Sequence, residues 1–168
     1  MATVNNHQTF YLFRHGLATH STTGYGDQAL TAGLLSEGKA TVHQLGTYLQ
    51  QFPVELALTS PVPRCLQTAA IVSEHTHWQF QVEDQATEYY PEIFAPFRDR
   101  IAAFATQLTA LPYQHIALCT HGGVIAGLQH ILIEGSFIES QILDYPAPAG
   151  LIIVDMNAHT SKSIEWKL

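Results

Sequence analysis

The sequence predicts an α/β fold of three layers, α/β/α, with helices on both faces of a mostly parallel central sheet. Three observations lead there. Short apolar runs of strand type alternate with segments of helical periodicity along the chain. The length of 168 residues suits a single domain over 1–168, since one core of roughly 100–200 residues is the common case. Hydrophobic residues make up 46% of the chain, enough to fill a core between layers.

The elements follow in order. TFYLF (9–13) is an apolar strand that runs into a loop rich in Gly, Thr and Ser, from Gly16 to about Gln28. A helix is expected over 36–51, because Val42, Leu45, Leu49 and Phe52 recur at helical spacing and Ser36 can cap its start. ELALTS (55–60) is a second strand. The next helix is predicted to start at Ser60 as N-cap with Pro61 in its first turn, burying Leu66, Ala69, Ala70 and Ile71. FQVED (80–84) is a weaker third strand. Phe94, Phe97, Ile101, Phe104 and Leu108 form one face of a helix that tolerates Pro96 only in its first turn. HIALCT (115–120) is a fourth strand, GVIAGLQHILI (123–133) a fourth helix and GLIIVDM (150–156) a fifth strand, with SIEWK (163–167) as a last edge strand. The tail from Leu151 is expected to run antiparallel.

Composition excludes several functions. Only 12% of residues are charged and the formal net charge is −7, which argues against nucleic acid or an anionic membrane as partner, because both require a basic surface. The N-terminal residues lack the charged and apolar regions of a signal peptide, and no apolar run nears the ~20 residues that span a bilayer. A cytoplasmic protein is expected. Cys65 and Cys119 lack metal-ligand spacing and read as reduced thiols without a role. His75 and His77 lack a third ligand at recognisable spacing and read as solvated.

With seven Arg and Lys in the chain, the position of each cation carries information. In an open α/β sheet, ligands bind outside the carboxyl ends of the strands. The first strand ends in Arg14-His15-Gly16, the second in Thr59-Ser60-Pro61 with Arg64 a helical turn on, and the fourth in Thr120-His121-Gly122-Gly123. Two arginines, two imidazoles and glycine N–H groups at a helix N-terminus form a site for a dense oxyanion, and phosphate is the natural occupant.

A neutral imidazole nitrogen there is also a nucleophile near pH 7. For His15 to attack, its other nitrogen must donate a hydrogen bond, commonly to a backbone carbonyl, and Gly16 would permit the close turn that supplies one. Arg14, Arg64 and a protonated His121 would neutralise the phosphoryl oxygens without metal or other cofactor. The leaving alkoxide needs a proton; Glu88 is the first candidate, Glu92 the second, and Glu83 and Asp84 sit too close to the strand. His20 lies in the loop beside the site, and Arg98 is a minor candidate for the pocket border. The bland alternatives are a strand-end pair for Arg14-His15 and a surface ion pair of Arg64 with an acid such as Glu74. No GxSxG motif is present to make HGG part of an ester-hydrolase site.

FYLFRHG (10–16), LTSPVPRCLQTAAIV (58–72) and IALCTHGGVIAGL (116–128) together resemble the histidine phosphatase superfamily, also called phosphoglycerate mutase-like. LSEGKATVHQLGTYL (35–49) is similar to its first helix. The resemblance implies the phosphoglycerate mutase-like fold, His15 as the residue that carries a phosphoryl group, and Arg14, Gly16, Arg64, His121 and Gly122 as phosphate ligands. It also implies Glu88 as the acid that protonates the leaving group, and no cofactor. Many members read Glu-Thr-x-x-Asn after Arg-His-Gly; here Leu17-Ala18-Thr19-His20-Ser21 stands instead, so the phosphate contact of the Asn is either missing or replaced by Ser21. The short segment after the third strand and the lack of a second basic cluster favour a phosphatase acting on a phosphorylated small molecule or a phosphoprotein. A mutase-type phosphotransferase and a non-catalytic phosphate- or phosphoprotein-binding module are the alternatives.

Overall fold

The computed structural model describes residues 7–20 and 24–167. Ser21 therefore lies outside the described residues. The order is β1 (Thr9–Arg14), α1 (Lys39–Leu49), β2 (Leu56–Thr59), α2 (Pro63–Thr76), β3 (Phe80–Val82), α3 (Phe94–Thr109), β4 (His115–Thr120), α4 (Gly122–Glu134), β5 (Leu151–Asp155) and β6 (Thr160–Ile164). The strands form one sheet in the order β3-β2-β4-β1-β5-β6. β3, β2, β4 and β1 are parallel, while on the β1 side β5 pairs antiparallel with β1 and β6 antiparallel with β5. No helix of the described residues is long and apolar enough to cross a membrane.

The period of two along each strand divides the core between the faces. Phe10 and Leu12 of β1 and Ile116 and Leu118 of β4 pack with Phe97, Ile101 and Phe104 of α3 and with α4. Tyr11, Phe13, Ala117 and Cys119 face Val42, Leu45 and Leu49 of α1 and Val72 of α2. Continuous apolar runs in β1 and β4 are what a strand covered on both faces requires.

Among the boundaries that differ from the sequence reading, three have a visible cause. Residues Ser36–Gly38 form a separate 3₁₀ turn, α1 starts at Lys39, and no side chain caps it. The cause is Gly38, where a Cβ would lie 2.5 Å from the Leu17 carbonyl oxygen, so the backbone is clamped to the loop after β1 before the helix can begin. α2 begins at Pro63, preceded by an extended Val62, so Pro63 and not Pro61 takes the first helical turn. The edge strand ends at Ile164 rather than beginning at Ser163. Asp155 Oδ1 accepts the N–H groups of Asn157 and Ala158 and closes the hairpin early. The β6 residues TSKSI carry almost no apolar alternation to reveal it, whereas Trp166, outside the strand, anchors the tail by donating Nε1–H to the Ala149 carbonyl at 2.7 Å.

Candidate active site

Register brings the candidate residues together. Arg14 of β1 pairs with Thr120 of β4, and Thr59 of β2 pairs with Cys119, so three strands end level and His15, Ser60 and His121 follow side by side. The His15 N–H donates to the Thr120 carbonyl and the Ser60 N–H to that of Cys119, which continues the ladder into the site. The Thr120 hydroxyl donates to the Ala86 carbonyl at 2.6 Å and pins the loop that carries Glu88 beneath the same edge.

His15 is 1% exposed. Its Nδ1 lies 2.8 Å from the Gly16 carbonyl, while Nε2 accepts from Arg64 Nε at 3.2 Å. Since Arg64 can only donate, Nε2 is the unprotonated nitrogen and Nδ1–H is the donor to Gly16. Burial, then the positive charges of His121, Arg14 and Arg64, push the His15 pKa well below 6.5. Gly16 is required for space rather than for a turn: a Cβ would meet Val42 Cγ2 at 2.6 Å and Leu34 Cδ1 at 2.8 Å. Its N–H donates to Thr68 Oγ1 at 3.0 Å.

Arg64 is fully buried. Besides His15 it reaches Glu88 Oε2, 2.8 Å from Nη2, and its guanidinium lies 4.0 Å from the centroid of the Tyr25 ring. The expected alternative, pairing with a surface acid such as Glu74, does not occur. His121, also fully buried, is the N-cap of α4. Its Nδ1 lies 3.3 Å from Glu88 Oε2 and its Nε2 lies 2.8 Å from Ser60 Oγ. Burial opposes a charge on His121, but the Cys65 sulfur and the Glu88 carboxylate outweigh it and lift the pKa to about 9. Glu88 is the mirror case: burial opposes its charge, yet His121, Arg64 and the Tyr89 N–H bring it down to about 2. The resting site therefore holds a neutral His15, a cationic His121 and an ionised Glu88.

Arg14 donates Nη1–H to the Pro146 carbonyl at 3.3 Å and packs over Tyr145. Its Nε is buried without a hydrogen-bond partner among the described residues, a donor left for an anion. Arg14, His15, Glu88 and the Gly122-Gly123 start of α4 line a cavity of about 470 Å³ whose walls also include Tyr25 and Tyr145. The first N–H groups of α4 have no intrahelical acceptor and face the cavity mouth.

Residues 10–91 match the family model of the histidine phosphatase superfamily (branch 1). No curated protein matches the sequence. Among solved structures, the alpha-ribazole phosphatase from Shigella flexneri is 20% identical with a TM-score of 0.80, covering 94% of this chain and 95% of that one. The protein histidine phosphatase SixA complexed with tungstate is 16% identical, covers 94% of each chain and has a TM-score of 0.66. A phosphoglycerate mutase from Bacillus anthracis is 16% identical at a TM-score of 0.69, covering 95% of this chain and 92% of that one. At such identities the likeness is one of fold, and this fold is shared by phosphatases and a mutase.

The structure places Arg14, His15, Glu88 and Gly122 on the wall of one cavity, with Arg64 and His121 buried against His15 and Glu88 and Gly16 packed against Val42 and Leu34. Glu92, the second acid candidate, is elsewhere: it pairs with Arg100 at 2.7 Å and does not line the cavity, whereas Glu88, the first candidate, does. Arg98 is exposed and paired with Asp99, off the pocket, and His20 does not line it. Four contributors were missed. Ser60, read as a helix cap, holds His121; Cys65, given no role, lies 3.5 Å from His121 Nε2. Thr68 fixes Gly16, and Tyr25 shields Arg64. Thr68 belongs to the Gln67-Thr68-Ala69 run already noted, but Tyr25 stands in a loop with no periodic signal.

Proposed function

We propose that this chain is a phosphatase that cleaves a phosphomonoester or phosphoramidate through a phosphohistidine on His15. The observation that carries the reading is the His15 imidazole: neutral, fixed by Nδ1–H to Gly16, with Nε2 presented between two guanidiniums and a cationic His121. The phosphoryl oxygens take over the donors of Arg64, Arg14 Nε, His121 and the α4 N-terminus. His15 Nε2 attacks phosphorus as the P–O or P–N bond to the leaving group breaks.

Glu88 is ionised at rest, so it cannot protonate the leaving group before substrate binds. When phosphate draws Arg64 and His121 away, a dianion stands beside the carboxylate, and two adjacent negative groups cannot both stay ionised. Glu88 then takes up a proton and delivers it to the leaving atom. Deprotonated again, it activates the water that splits the N–P bond, which releases phosphate and restores His15.

Phosphatase is favoured over mutase by the cation inventory. Arg100 is tied to Glu92 and to the carbonyls of Gln85, Thr87 and Glu88, so among the described residues the cavity has only one phosphate-sized cationic centre. A bisphosphorylated sugar requires two. The substrate is expected to be a phosphorylated small molecule or a phosphorylated protein side chain.

The test is hydrolysis of para-nitrophenyl phosphate, sugar and nucleotide monophosphates and phosphohistidine protein in EDTA, against His15→Ala. Release of phosphate by the wild type alone, with an acid-labile, alkali-stable phosphoryl group trapped on His15, supports the reading. Phosphate binding without turnover on any substrate would make the chain a binding module; isomerisation of phosphoglycerate faster than hydrolysis would make it a mutase.

A further inference from the structure

The first half of α1 and the last turn of α2 carry a second group of chemically capable side chains. His43, one position beyond the buried Val42 on α1, meets His75 of the last turn of α2. His43 Nδ1 lies 2.8 Å from His75 Nε2, and the rings stand nearly perpendicular, at 83°. Glu74 precedes His75, and the ligand atoms of all three lie within 4.8 Å of one another. The sequence offered only His75-x-His77; the fold replaces His77 by a residue 32 positions away.

The seat of His75 is built. Gly46 lies one turn beyond His43 in the interior of α1, where glycine costs about 1 kcal/mol relative to alanine. A Cβ at Gly46 would stand 2.7 Å from His75 Cδ2, so only glycine allows the imidazole to lie on the helix backbone with Nε2 aimed at His43. Two imidazole nitrogens facing at this distance repel unless a proton or a cation lies between them. The pair is half-buried and Glu74 is exposed, so one side of the group is open to water.

We propose that His43, Glu74 and His75 form a site for a divalent transition ion of the zinc type, with water as fourth ligand, which clips α1 to α2 outside the phosphate cavity. Two imidazoles and a carboxylate are a common zinc donor set, and bonds of about 2.0–2.2 Å place tetrahedral ligand atoms about 3.3 Å apart. The nitrogens must part by about 0.5 Å by that geometry, and the Glu74 carboxylate must swing inward; side-chain rotation supplies both. Nitrogen donors favour zinc over magnesium or calcium. His75 is eleven positions along α2 from Arg64, about 16 Å at the helical rise, so the ion would act on stability and not on the reacting atoms.

The test uses the full chain, stripped with chelator and dialysed, with zinc chloride as the probe in titration calorimetry and thermal melting. Zinc can also meet His15 and His121, so the decisive quantity is the difference between variants. Wild type is expected to bind one zinc more than His43→Ala and than His75→Ala, and to melt at a higher temperature with zinc but not with magnesium. Glu74→Gln, an exposed change that leaves folding intact, should weaken that site about tenfold or more. Metal-free His43→Ala should hydrolyse para-nitrophenyl phosphate like the wild type. Equal zinc stoichiometry and affinity in all four proteins, or no zinc binding by the wild type, overturns the proposal.

Discussion

Glu88→Gln tests the electrostatic core of the proposed mechanism, because it removes one charge and almost no volume. Glu88 Oε2 lies 2.8 Å from Arg64 and 3.3 Å from His121. The His121 pKa stands at about 9 instead of 6.5, and the Cys65 sulfur precedes Glu88 among the groups that raise it. Glu88 therefore supplies less than the whole rise; one unit, or about 1.4 kcal/mol, is a reasonable share.

Three consequences follow for the variant. The basic limb of kcat/KM, which marks loss of the His121 proton, should move from about 9 toward roughly 8. Inorganic phosphate should inhibit about tenfold more tightly, since it no longer competes with a carboxylate for Arg64. kcat should nevertheless fall by about 10²–10⁴, the usual worth of a positioned proton donor. Steady-state kinetics across pH 5–10 with phosphate as product inhibitor would measure all three. A fall in kcat with unchanged phosphate affinity and an unmoved basic limb would refute the electrostatic reasoning, and an undiminished kcat would remove Glu88 as the acid.

Other outcomes are equally concrete. Gly16→Ala forces a methyl against Val42 and Leu34 and should cost about 1–3 kcal/mol in denaturant unfolding, with a loss of turnover because the Gly16 carbonyl that accepts the His15 Nδ1–H shifts. Thr68→Val removes the acceptor of the Gly16 N–H, which should cost about 1–3 kcal/mol in the same unfolding assay. Melting temperature should fall as pH drops below 6.5. Above that pH two effects oppose one another: His121 holds a proton that the unfolded chain releases, while the lowered Cys65 thiol has given up one that the unfolded chain keeps until about 9. Below it the unfolded chain protonates its counterpart of His15 first, and Glu88 adds a further loss as pH falls from 4.5 toward 2. A melting temperature that stays level as pH falls from 6.5 to 5 would contradict the neutral state of His15. Phe104→Ala, in the fully buried face of α3, should destabilise by about 3–5 kcal/mol in chemical denaturation.

Legibility differed by residue. FYLFRHG and CTHGG could be read because an apolar run that stops at a polar residue and a glycine marks both a strand and its end, all within local sequence. Glu88 could be ranked ahead of Glu92, but the contacts that separate them could not be read, since both stand in one short polar segment. Arg100, eight residues beyond Glu92, pairs with Glu92, while Glu88 lies against Arg64 and His121. The Pro61 start of α2 was misplaced because Pro61 and Pro63 both satisfy the first-turn preference, and only the commitment of Ser60 to His121 separates them.

By itself the sequence determined the alternation of strands and helices, the sheet edge at which the arginines and histidines gather, and the oxyanion chemistry of that set. These depend on periodicities of two and 3.6 and on residues adjacent in the chain. Tertiary structure alone decided the charge states of His15, Glu88 and His121, the entry of Ser60 and Cys65 into the site, and the meeting of His43 with His75. Those properties arise from burial and from contacts across 24 to 61 positions, and electrostatic energy depends on distance and dielectric, which no spacing along a chain expresses.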